Sequence, residues 1–93
     1  KTYNDFLMEK LTNSEHAAGF IEAILAEKDP EPELLRNALF KVIEAYKIND
    51  KLTESARINY QKLEQILTDS NGKEIYTFMQ LLEDLGWKFS IFI

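Results

Sequence analysis

Tyr60, Gln61, Glu64 and Gln65 carry the clearest recognition chemistry in the chain. A glutamine amide donates and accepts in the pattern that the N6/N7 edge of adenine presents, and a carboxylate accepts from cytosine N4. Lys51, Arg57, Lys62 and Lys73 surround this group. Cations so placed would sit on phosphates, where they fix register without specifying sequence. On a helix, the set describes a segment lying in the major groove of double-stranded DNA with its N-terminal residues at base edges. The same residues also suit the solvated polar face of a helical bundle.

No catalytic or cofactor-binding constellation accompanies them. His16 is the only histidine and cysteine is absent, so a general base or metal ligand has no partners of its kind. Ser55, Ser70 and Ser90 have no nucleophile motif around them, and the isolated Gly72 is no phosphate loop. Tyr60, Tyr76, Phe78 and Trp87 could stack on unpaired bases, but Phe78 and Trp87 fall at core spacing and are expected inside. The expectation is a protein that is not an enzyme and holds no cofactor or metal.

The elements that must position these residues follow from periodicity and caps. Leu52, Ala56, Ile58, Leu63, Ile66 and Leu67 divide into two helical groups around Ile58. The spacing predicts a helix-turn-helix over 50–68, with Asp50 capping a short first helix and Asn59 the second. Upstream, Tyr3, Phe6, Leu7 and Leu11 predict a lead-in helix. Asn13 caps a second with the stripe Ala17, Phe20, Ile21, Ile24 and Leu25, running to about Lys28. Asp29-Pro30-Glu31-Pro32-Glu33 breaks the chain, and Pro32 suits the first helical position of a segment to about Tyr46. These last two helices should form a hairpin over 13–46. A closing helix over 74–85 ends at Gly86. Residues 87–91 then alternate apolar and polar and 92–93 stay apolar, which predicts a strand over 87–92. A lone strand needs a partner, and the simplest is its copy across a twofold axis, with Trp87, Phe89, Ile91 and Phe92 at the dimer interface.

Ninety-three residues suffice for a single domain, 45% apolar and 29% charged, as in an ordinary globular protein. No apolar run can span a bilayer, and the start KTYNDFLMEK lacks signal or transit character. With no cysteine, this fits a cytoplasmic location. The net charge of −5 argues against coating nucleic acid by charge alone. Its distribution is uneven, because residues 51–73 carry four basic and three acidic groups while the segments on either side are acidic.

Three pieces in order make the chain resemble the addiction-module antidote proteins, relatives of the antitoxins of host-inhibition modules. They are His16-Ala17-Ala18-Gly19-Phe20-Ile21-Glu22-Ala23-Ile24-Leu25-Ala26-Glu27, Pro32-Glu33-Leu34-Leu35 running on to Val42, and Asn71-Gly72-Lys73 with Thr77–Leu82 and Leu85–Ile91. The resemblance covers about Leu11 to Ile91. It implies a five-helix, all-α, lambda-repressor-like DNA-binding domain with a short C-terminal β-strand, acting as an antitoxin-like transcriptional regulator and homodimer. It also implies a small basic toxin as partner, and the acidic cluster Glu15, Glu22, Glu27, Asp29, Glu31 and Glu33 would steer that encounter. The departures lie in the motif. Thr53 stands where the family has Ala, Arg57 where it has a turn Gly, and Asn59-Tyr60 where it has Ser followed by Arg. A non-glycine residue in a left-handed turn costs about 1 kcal/mol. The alternative is a degenerate helix-turn-helix relative that acts only as a protein-interaction module.

Overall fold

The computed structural model describes residues 2–28, 31 and 33–93, and among these the chain is all-helical. Its five helices are α1 (Tyr3–Leu11), α2 (Ser14–Leu25), α3 (Leu34–Ile48), α4 (Glu54–Ser70) and α5 (Lys73–Asp84). The parts of the expected breaker formed by Asp29, Pro30 and Pro32, and the helix start assigned to Pro32, lie outside the described residues.

Local chemistry starts the first two helices. Thr2 and Asp5 form a capping box, in which the Asp5 N–H donates to Thr2 Oγ1 at 3.1 Å and the Thr2 N–H to Asp5 Oδ2 at 3.3 Å. Asn13 Oδ1 accepts from the N–H groups of Glu15 and His16, as expected of an N-cap. Both helices then turn apolar residues towards α3. Leu11, Ala17 and Ala45 form the buried centre, with Leu7, Met8, Phe20, Val42 and Tyr46 packed against it. Alanines at two of the three central positions let the helix axes approach closely. The Tyr46 hydroxyl donates to Ser14 Oγ at 3.1 Å and ties α3 to the start of α2. The expected hairpin is thus part of a three-helix platform that also includes α1.

The segment expected to hold a helix-turn-helix departs from that expectation. α4 runs unbroken from Glu54 to Ser70, so the turn around Arg57–Asn59 is absent and both residues are helical. Its N-cap is Thr53, whose hydroxyl accepts from the Ala56 N–H at 3.1 Å, rather than Asp50. Asn59 is interior and its amide donates to Ser55 O at 3.0 Å. The physical reason is in the sequence: no Gly or Pro occurs from Lys51 to Asn71, and a side chain at position 57 would strain the left-handed turn that a break requires. The positive-φ residues fall instead at the connections, at Asp50 before α4 and at Asn71-Gly72 after it.

The tail also departs from expectation. No strand forms among the described residues, and 87–93 has no ladder. Instead it returns to α2 of its own chain, with Phe89 lining one cavity together with Leu25 and Ala26 and Ile93 lining another with Asn13 and Glu15. The Ile91 N–H donates to Glu22 Oε1 at 2.6 Å. The alternation read from the sequence survives only in part: Phe89 and Ile91 are half-buried, whereas Trp87, expected on the same side, is exposed along with Phe92 and Ile93. A carboxylate and an apolar helix face satisfy in part what a second strand was expected to supply.

Candidate nucleic-acid interface

α4 is attached by one side only. Leu67, 1% exposed, is its single fully buried residue, and Leu63 and Tyr60 lie on the same side, one and two turns earlier. This register divides the four expected base-reading residues. Gln61 and Gln65 stand one turn apart on the exposed side, joined there by Ile58 and Lys62. Tyr60 and Glu64 are half-buried on the side facing the body of the protein, away from the two glutamines.

Glu64 has a different task. Its Oε1 accepts from Arg36 Nε at 3.0 Å and from Arg36 Nη2 at 2.9 Å, while Arg36 Nη1 donates to Glu33 Oε1 at 3.0 Å. The guanidinium therefore bridges the start of α3 to the middle of α4. Hydrogen bonding to Glu64 holds the Arg36 pKa above its ordinary value, partly opposed by burial. Tyr60 sits in the same corner. Burial raises its phenol pKa, and the Glu64 charge adds to the shift. The pairing spans 28 residues and has no local signature, which is why Glu64 could be read as a free acceptor.

The expected phosphate-binding residues are also separated. Arg57 donates through Nε and Nη2 to both carboxylate oxygens of Glu54, one turn away. That hydrogen bonding lowers the Glu54 pKa and raises that of Arg57. Lys51 reaches back to the α1–α2 corner, where its Nζ donates to Thr12 O at 3.4 Å. Lys62 is exposed on the outer side of α4, and Lys73 is exposed at the start of α5. Two of the helix's three carboxylates, Glu54 and Glu64, are thus matched by arginines, while Lys62 projects beside the two glutamines.

The aromatic expectations reverse. Phe78 and Trp87, expected in the core, are 57% and 63% exposed, while Tyr60 and Tyr76 are half-buried. α5 has no fully buried residue and exposes Phe78 and Leu81, which line an open groove of about 740 Å³ with Asn71 and Asp84, and its C-cap Leu85 is exposed as well. Core spacing gives the period of an apolar face but not whether another element covers it. Of the expected dimer residues, Phe89 and Ile91 pack within the chain, leaving Trp87 and Phe92 exposed. Among the described residues no group of three His, Asp or Glu could hold a metal ion, and no helix is long and apolar enough to cross a membrane.

Compared with known proteins, the chain matches no family model, no curated protein and no solved structure.

Proposed function

We propose that the protein is an antitoxin-like, cytoplasmic transcriptional regulator that binds operator DNA by laying the outward face of α4 in the major groove. The observation that carries this reading is the placement of Gln61 and Gln65 one turn apart on the exposed face of a seventeen-residue helix, with Lys62 beside them. Such a helix is long enough to enter a groove while its opposite face stays anchored. The lambda-repressor-like unit is then α3, the connection 49–53 and α4, rather than two short helices within 50–68. A homodimer supplies the paired half-sites, with the exposed Trp87 and Phe92 available to the second copy. The exposed carboxylates of Glu15, Glu27, Glu31 and Glu33 suit a small basic toxin.

The test compares two double variants on the DNA upstream of the protein's own gene. Replacing Gln61 and Gln65 by Ala relaxes sequence preference, whereas replacing Lys62, the cation beside them, together with Lys51 by Ala weakens all sequences alike, with the loss carried by Lys62. Identical behaviour of the two variants would refute the recognition face.

The exposed stripe Phe78, Leu81 and Leu85 favours a second reading, a protein-interaction module without DNA binding. In that case α5 variants abolish partner capture while no duplex binds at any salt concentration.

A further inference from the structure

We infer that the α4 face reads a run of A·T base pairs, with Ile58 against a thymine methyl group and Gln61 and Gln65 on adenine edges. This rests on the proposed docking of α4 in DNA. Ile58, expected in a break between helices, is 40% exposed on the same side as the two glutamines. An isoleucine there is costly in water, and the thymine C5-methyl is the apolar group that the major groove offers it. Each glutamine amide matches the N6/N7 edge of adenine.

The spacing agrees with a short run of bases. Ile58 and Gln65 are seven residues apart, about 10 Å along the helix at 1.5 Å per residue, which is roughly three base-pair steps. Charge defines the same footprint. Lys62 lies within it, and Glu54 is occupied by Arg57. Glu64, which could accept from cytosine N4, is held by Arg36 on the opposite side. Asp69 stands one turn beyond Gln65 and closes the footprint, because a carboxylate there meets phosphate. Between Ile58 and Gln65 the face therefore carries partners for adenine and thymine, with the Glu64 carboxylate turned away.

The experiment selects binders from randomised duplexes, then measures affinity for the selected site with chemically altered bases. The selected sites are expected to share a run of at least three A·T pairs. Replacing thymine by uracil at the Ile58 position removes one methyl and should weaken wild-type binding about fourfold. The same replacement should leave Ile58→Ala unaffected. Replacing adenine by 7-deazaadenine should weaken wild-type binding about fivefold and leave Gln61→Ala or Gln65→Ala unaffected at the corresponding base. Because the altered group is on the DNA, the wild-type measurements do not depend on how a variant folds. Binding with a G·C-rich consensus, or with no cost for uracil, overturns this inference and leaves the regulator reading standing. Binding to no duplex overturns both.

Discussion

Leu67 and its neighbour Ile66 give the sharpest check on the register of α4. Leu67 is 1% exposed and packs beside the chain reversal at Gly72, whereas Ile66, about 100° round the helix, is 51% exposed. Leu67→Ala removes three carbons from a filled site. At about 0.8 kcal/mol per buried carbon the transfer loss alone is about 2.4 kcal/mol, and the cavity raises the total towards about 4. That is a large share of the roughly 5–15 kcal/mol that holds a domain of this size together. Ile66→Ala removes carbons that are mostly in water and should cost less than about 1 kcal/mol. Urea denaturation followed by circular dichroism measures both. With a slope of about 1.5 kcal/mol per molar, Leu67→Ala lowers the midpoint by about 2 M while Ile66→Ala moves it by well under 1 M. Equal losses at the two positions are what a helix burying both residues would give, and they would refute this register of α4.

Further outcomes follow from the connections and the tail. Gly72 has φ +83° and an added Cβ would meet the Tyr76 ring at 3.4 Å, so Gly72→Ala should destabilise by about 1–2 kcal/mol, measured by the same denaturation. Arg57 lowers the Glu54 pKa, so the stability from this pair is present above the unfolded glutamate pKa and is lost as pH falls through the lower folded value. A denaturation series should therefore show any difference between wild type and Glu54→Gln vanishing at low pH; a difference that grows with acid contradicts the sign. Glu22→Ala removes the acceptor of the Ile91 N–H, so amide exchange at Ile91 should speed up while the α1–α3 core keeps its protection. Unchanged exchange at Ile91 would mean that the tail is held by other contacts.

Much of the platform was legible because its signals are local. The Asn13 cap, the Ala17–Leu25 stripe and the Gly86 stop each depend on residues a few positions apart, and each occurs where expected. The misreadings arose where the deciding contact is distant or where a pattern has two solutions. Ala56, Ile58, Leu63, Ile66 and Leu67 fit the turn and second helix of a helix-turn-helix or one long helix with Ile58 and Ile66 exposed, and the absence of Gly and Pro favours the latter. Glu64 looked free because Arg36 is 28 residues away. The alternation of 87–91 grouped Trp87 with Phe89 and Ile91, of which only the last two are half-buried, and periodicity does not distinguish a paired strand from an extended strap on α2. Of the proposed DNA face, Gln61, Gln65 and Lys62 could be read from composition, while Ile58 joined them only once the helix was continuous.

The measurement closest to the central claim is a salt series on binding to the DNA upstream of the gene, with wild type and Lys62→Ala in parallel. The account predicts that log affinity falls linearly with log salt concentration, because docked cations release counterions, and that the slope becomes shallower by roughly one unit in Lys62→Ala. No binding at low salt, or a slope identical in the two proteins, would contradict a DNA contact through the outward face of α4.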